Sequence, residues 1–260
     1  MSAALGPAGS TSGTAAHAVR LEGISKTFGR RNVLANVSFE VRAGTGFVIL
    51  GRSGTGKSVT LRHIVGLVRP DRGRVLVDGT DVAHAGTREL SRVRQGIGFL
   101  FQNAALFDSI TVGENVAFPV RRHTSMAQDE IRARVREKLA AVGLEGEEDK
   151  MPGALSGGMR KRAGLARALA LDPPLLLVDE PSAGLDPITA DEIDSLLLDL
   201  KERGGRTLVI VTHNIPSARR LGDELIMLHE GQVVERGSAD HFDRSANPIV
   251  RAFMSSRHSG

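Results

Sequence analysis

The eight residues Gly51-Arg52-Ser53-Gly54-Thr55-Gly56-Lys57-Ser58 constrain this chain more than any other stretch. An apolar run, Phe47-Val48-Ile49-Leu50, precedes them, and an amphipathic segment, Val59 to Val65, follows. Strand, glycine-rich turn and helix, in that order, are the context of a phosphate-binding loop, or P-loop. The glycines let the backbone wrap tightly and turn its N–H groups inward. Lys57 adds a point charge for the outer phosphates, and the Ser58 hydroxyl is placed to bind Mg²⁺. The N-terminus of the following helix adds partial positive charge at the same spot. The ligand these features predict is a nucleoside triphosphate.

At 260 residues the chain fits one large domain, or one domain with a sizeable insertion. It has no cysteine, which excludes disulfides and thiolate metal sites and fits a reducing compartment. No apolar run approaches bilayer-spanning length; Leu175-Leu176-Leu177-Val178 is among the longest. The net charge of +4 comes from arginines spread among acidic residues. There is no Tyr or Trp, and the nine Phe do not interleave with basic residues as a base-stacking platform requires. Nucleic acid is therefore not an expected partner. Residues 1–18 are small and polar, lack the basic start and apolar middle of a signal peptide, and read as a disordered tail.

Val19 to Val41 alternates in the manner of β-structure, with a turn at Gly29-Arg30-Arg31-Asn32. Arg74–Val77 and Ile97–Phe101 read as further strands. From about Asn103 to Met159 the pattern turns helical. Thr111-Val112-Gly113-Glu114 has capping-box spacing, which predicts a helix from there to near Pro119. Ala127 to Val142 carries Ile131, Val135, Leu139 and Val142 near a 3.6-residue period, with Gly143 as its stop. The core then resumes: a helix over Met159–Leu171, a strand at Leu175–Val178, a helix over Thr189–Arg203 and a strand at Thr207–Val211. A hairpin of Leu225–Leu228 and Gln232–Glu235 turns at Glu230-Gly231. Alternating strands and helices imply a mainly parallel sheet with both faces covered. The predicted fold is thus α/β: a P-loop NTPase core, an N-terminal antiparallel β subdomain, and an α-helical subdomain inserted at about 103–159, the whole spanning residues 19–257.

Two more segments carry chemistry. Leu175–Val178 runs into Asp179 and Glu180, which puts two carboxylates at a strand's carboxyl edge, where open α/β sheets bind ligands. Asp179 would orient Mg²⁺ or its waters, and Glu180 would polarise an attacking water as general base. Leu155-Ser156-Gly157-Gly158-Met159 stands directly before a helix. Ser156 is a natural N-cap there, and the glycines leave backbone N–H groups uncovered, making a second anion-binding helix end.

In this order the segments resemble the nucleotide-binding subunits of ABC transporters. Leu155–Met159 is similar to that family's LSGGQ signature, with Met159 in place of Gln. Gln102, after Phe99-Leu100-Phe101, matches its Q-loop, and Ser182-Ala183-Gly184-Leu185-Asp186 its D-loop. His213 in Val211-Thr212-His213 matches its switch histidine, and Phe28 stands where the family stacks an aromatic ring on adenine. The resemblance covers about residues 19–257. It implies ATP and Mg²⁺ as cofactors and ATP hydrolysis by Glu180, His213, Lys57 and Gln102. It implies nucleotide contacts from Phe28, from Gly51, Arg52, Ser53, Gly54, Thr55, Gly56, Lys57 and Ser58, and from Ser156, Gly157 and Gly158. Ser58, Gln102 and Asp179 would face the metal. It also implies a second copy of the chain, facing the first head to tail across two ATP molecules. Integral-membrane permease subunits, a possible substrate-binding envelope protein, and a peripheral place on the cytoplasmic face of the inner membrane complete the expectation.

Within the family, the wording of Phe101–Val112, Glu114–Pro119, Met159 and Asp186-Pro187-Ile188-Thr189 resembles the ATPases of Mla/Mce-type lipid transporters. An importer of amino acids or another small solute is the alternative. A non-transport ABC ATPase acting on ribosomes or nucleic acid is the alternative from another class, although the chain has one cassette and no sustained heptads. Leu106, Phe107 and Phe118, just after the Q-loop, are candidates for contact with the membrane subunit.

Overall fold

The structure, a computed structural model, describes residues 17–256. The chain opens with β1 (His17–Phe28), β2 (Arg31–Arg42) and β3 (Gly46–Leu50), followed by α1 (Lys57–Ile64), β4 (Arg72–Val77), β5 (Thr80–Asp81), α2 (Thr87–Gln95) and β6 (Ile97–Leu100). A helical stretch follows: α3 (Val112–His123), α4 (Gln128–Ala140), a single 3₁₀ turn at Pro152–Ala154, and α5 (Gly157–Ala168). Then come β7 (Leu175–Asp179), α6 (Pro187–Glu202), β8 (Thr207–Thr212), α7 (Ile215–Leu221), β9 (Glu224–His229), β10 (Gln232–Gly237), α8 (Ala239–Asp243) and α9 (Pro248–Met254).

Two sheets result. One is four-stranded and antiparallel, in the order β2-β1-β4-β5. The other is six-stranded, in the order β10-β9-β3-β8-β7-β6, and parallel throughout except for the β9–β10 hairpin. Glu230 and Gly231 make that hairpin turn at φ +48° and +75°. All five residues of β3 and of β7, and all six of β8, are buried. Such strands read as unbroken apolar runs because each face is covered by a different layer. Phe47 and Ile49 look toward the antiparallel sheet, where Phe47 stacks on Phe39 at 5.0 Å between ring centres. Val48 and Leu50 look toward the helical side, together with Val116, Leu139 and Leu165.

The observed elements refine several expectations. β1 starts at His17, two residues before the boundary drawn at 19; the tail proposed for 1–18 otherwise lies outside the described residues, as does residue 257. β6 ends at Leu100, one residue short of Phe101. Helix α3 does not stop near Pro119 but runs through it to His123. Its buried stripe of Val112, Val116 and Ala117 continues to Val120 beyond the proline. That packing outweighs the about 3 kcal/mol that an interior proline costs a helix. Helix α5 starts at Gly157 and ends at Ala168, not Leu171. Helix α6 starts at Pro187, because Asp186 is its true cap: the carboxylate accepts the N–H groups of Ile188 and Thr189. Thr189 donates its hydroxyl to the same carboxylate at 2.6 Å instead of capping the helix itself. Helices α2, α7, α8 and α9 were not read from the sequence.

Asn115 organises the turn that leads into α3. It is fully buried; its Oδ1 accepts the Phe107 N–H at 2.8 Å, and its Nδ2 donates to the carbonyls of Phe107 and Thr111 at 3.1 and 2.9 Å. Asn115→Ala is expected to lower unfolding free energy by about 1–3 kcal/mol, the cost of orphaned buried partners. Chemical denaturation measures that loss, and hydrogen exchange should show residues 107–111 exchanging faster.

Candidate functional site

The parallel register sets the site. Leu50 lies opposite Thr212, and Asp179 opposite Val211, while Leu100 lies opposite Val178. The chain therefore leaves β3, β6, β7 and β8 at one edge, carrying the Gly51–Ser58 turn, Gln102, Glu180 and His213 to the same place.

The Gly51–Ser58 turn wraps as the sequence requires. Gly56 has φ +102°, and a Cβ there would fall 2.8 Å from the Val33 carbonyl oxygen, so only glycine fits. Lys57 is buried, and its ammonium donates to the carbonyls of Gly51 at 2.8 Å and Arg52 at 3.2 Å. The same ammonium stands 3.2 Å from Glu180 Oε1. Ser58 donates its hydroxyl to Asp179 Oδ1 at 2.8 Å. Burial pushes the Asp179 carboxyl above the ordinary aspartate value, and the Ser58 hydrogen bond offsets part of that rise.

Glu180 follows β7 with a left-handed backbone, φ +47°. Its N–H donates to the Val211 carbonyl at 2.9 Å, which ties the strained residue to β8. Its Oε2 meets His213 Nδ1 at 2.8 Å and lies 3.3 Å from the His213 N–H. One carboxylate thus bridges the P-loop lysine and the histidine, with an oxygen for each. That arrangement suits a base that must be held in one rotamer while a water approaches it.

Two contributors escaped the sequence reading. Lys161 of α5 is buried and donates to the Glu180 carbonyl at 2.9 Å; burial lowers its pKa to about 8, while Asp179 and Glu180 pull it back up. A lysine on the stripe shared by Gly158 and Leu165 was the available signal, since that face of α5 is otherwise apolar. Arg31, at the start of β2, donates to the Gly54 carbonyl at 2.7 Å and fastens the β1–β2 hairpin to the P-loop. The hairpin carries Phe28 at its end, 47% exposed, with the Lys26 ammonium 5.4 Å from the ring centre. With Lys26 over one face, the exposed part of the ring is available to a planar ligand.

The remaining expected residues make no hydrogen bond to Lys57, Asp179, Glu180 or His213 among the described residues. Gln102 is exposed, two residues past β6. Ser156 caps α5 by accepting the Met159 N–H at 3.2 Å, so the cap needs no glutamine at position 159. Ser156 and Gly157 are exposed, and among the described residues no hydrogen bond links Ser156–Gly158 to Gly51–Ser58. Phe107 and Phe118 are 47% and 49% exposed, with ring centres 5.2 Å apart, whereas Leu106 packs against the core. Among the described residues no helix is long and apolar enough to cross a membrane.

Residues 34–183 match the family model described as ABC transporter. A probable ribonucleotide transport ATP-binding protein, mkl, of Mycobacterium leprae is 45% identical over 94% of this chain and 70% of its own length. The intermembrane phospholipid transport system ATP-binding protein MlaF of Escherichia coli K12 is 39% identical over 92% of this chain and 89% of its own. The methionine import ATP-binding protein MetN of Geobacillus kaustophilus is 41% identical over 91% and 70%. Among solved structures, a dimeric ATP-binding cassette in a post-hydrolysis state with ADP and Pi superposes with a TM-score of 0.80 at 36% identity, over 85% of this chain and 98% of that one.

The raised Asp179 carboxyl gives a stability test. Because the folded value exceeds the unfolded one, the fold favours the neutral form, so the ionised group lowers stability at neutral pH. Asp179→Asn should therefore raise the melting temperature at pH 7. The advantage should shrink as pH falls through the folded value of Asp179, and calorimetry across pH reads both effects. The shared edge of β3, β7 and β8, the matched motifs and the relatives agree: this chain belongs to the ABC transporter family and is an ATP-binding, ATP-hydrolysing cassette of that family.

Proposed function

We propose that this cassette powers movement of phospholipid, or another lipid, between the cytoplasmic membrane and the outer envelope. The observation that carries the lipid reading is the end-to-end likeness to a relative named for intermembrane phospholipid transport. The wording of Phe101–Pro119 and Met159 supports it from the sequence side. The cassette itself would not touch lipid. It would sit at the cytoplasmic face of the membrane, bound to integral-membrane permease subunits, with an envelope protein receiving or delivering the cargo. Import of an amino acid is the second reading, favoured by the methionine-import relative.

In the proposed reaction the Gly51–Ser58 amides and the Lys57 ammonium hold the triphosphate, and Phe28 stacks on the adenine. A phosphate in the cradle competes with Glu180 for the Lys57 ammonium, since both acceptors need the same cation. Released from that pairing, the Glu180 carboxylate takes a proton from the attacking water as the water oxygen bonds the γ-phosphorus and the β–γ bridging oxygen leaves with ADP. His213, already on Oε2, keeps the carboxylate aimed and contacts the γ-phosphate. Ser58 and Asp179 set a hydroxyl and a carboxylate oxygen side by side, hard donors suited to Mg²⁺, and the buried Asp179 charge favours a cation beside it. With Gln102 they would hold that ion, which when bound neutralises charge on the phosphates. A second copy supplies Ser156, Gly157 and Gly158; Ser156 and Gly157 are exposed, and among the described residues that helix start makes no hydrogen bond to the P-loop of its own chain. The dimeric cassette among the solved relatives supports that pairing.

Glu180→Gln should bind ATP yet lose turnover by about 10²–10⁴-fold, the usual worth of a general base; hydrolysis at the wild-type rate would remove Glu180 from the mechanism. Lys57→Ala should weaken ATP binding in titration calorimetry, and unchanged affinity would argue against the phosphate assignment. Purification of the tagged chain in mild detergent should yield an integral-membrane protein and phospholipid. Recovery of a methionine- or other solute-specific permease in its place would favour the importer reading. Phe107→Asp should abolish recovery of the membrane protein while leaving ATP binding intact.

A further inference from the structure

Just beyond Gln102, Ala104 and Ala105 both adopt left-handed backbone, at φ +58° and +51°. Residues with a Cβ seldom do so, and two in succession need an external hold. The hold comes from the far end of α5. Arg167 donates from Nη2 to the Ala104 carbonyl at 2.9 Å and from Nη1 to the Ala105 carbonyl at 2.7 Å, a planar fork closed on two consecutive peptides. Among the described residues Arg167 forms no ion pair, and burial lowers its pKa. A half-buried guanidinium without a carboxylate donates its described hydrogen bonds to these two carbonyls, which makes the clasp costly to open. The turn also sits directly on the helix: a Cβ on Gly164 would come within 2.9 Å of the Ala104 Cβ. Arg167 lines the same groove as Phe101, Phe107 and Phe118.

We propose that Arg167 is a positioning residue for ATP hydrolysis, acting through Gln102. It fixes the 101–107 turn to α5, so that a push on the Phe107–Phe118 face and the placement of Gln102 are both passed to the helix that begins at Ser156. The proposal rests on the reading of Gln102 and Glu180 given above. Its test is a double-mutant cycle on ATP turnover by the full chain. Arg167→Met should lower kcat about 10-fold or more, as misplacement of a contacting group does, with KM for ATP within about twofold. Arg167→Lys, which keeps the cation and loses the fork, should fall between Arg167→Met and the wild type. In a Gln102→Ala background Arg167→Met should cause no further loss. An equal loss in both backgrounds, an unchanged kcat in Arg167→Met, or a Gln102→Ala variant of full activity would each overturn it. If Arg167→Met does not fold, the cycle is run with Arg167→Lys and the same outcomes decide. Glu180→Gln is the control: retained turnover there sinks the reading of the site, whereas lost turnover there with an unchanged Arg167→Met sinks only the role of Arg167.

Discussion

Parallel pairing of β3 with β8, and of β8 with β7, is the constraint from which the rest of this site follows. Parallel strands all end on one edge, so residues far apart in the chain arrive together there. The P-loop leaves β3, Glu180 leaves β7 and His213 leaves β8. A one-residue slip of β7 against β8 would send Asp179 and Glu180 to the wrong face, and one of β3 against β8 would displace the P-loop. The buried apolar faces of these strands forbid such a slip, because successive side chains from Phe47 to Leu50 alternate between two layers. The hydrophobic core and the chemistry are therefore fixed by the same register.

At that edge the fold concentrates ions. Lys57, Lys161, Asp179 and Glu180 are all buried. Ionised groups out of water are costly unless opposite charges and hydrogen bonds surround them. Here cations and carboxylates alternate: Lys57 on Glu180, and Lys161 beneath the Glu180 carbonyl and near both acids. The set is balanced in charge yet poised, since an incoming polyanion changes the partner of one lysine. Stability is given up locally for that readiness, as active sites commonly require.

Much of this was legible in the sequence, for identifiable reasons. The P-loop declares itself because its glycines, lysine and serine each answer a separate steric or electrostatic demand at fixed spacing. The buried strands declare themselves as unbroken apolar runs, and Asp179-Glu180 by standing at the end of one. Lys161 and Arg167 were not legible, because their partners are backbone carbonyls, and a carbonyl leaves no mark on the residue type that bears it. The end of α3 was misplaced for a related reason: Pro119 signals a break locally, while the packing that overrides it lies in other elements. Thr189 and Glu192 mimic a cap in the sequence, but Asp186 captures the free N–H groups first and starts α6 earlier.

The contact between Gly158 and Thr189 bears on how the signature segment tolerates change. A Cβ at 158 would stand 2.4 Å from the Thr189 methyl, so the first turns of α5 and α6 touch with nothing between them. Position 158 has no latitude. Position 159 is constrained differently: the cap uses only its backbone N–H, while the half-buried Met159 side chain packs against the core. Methionine at 159 thus leaves the cap whole, and a chain recognised by the spelling of that pentapeptide alone would be overlooked although its helix start is intact.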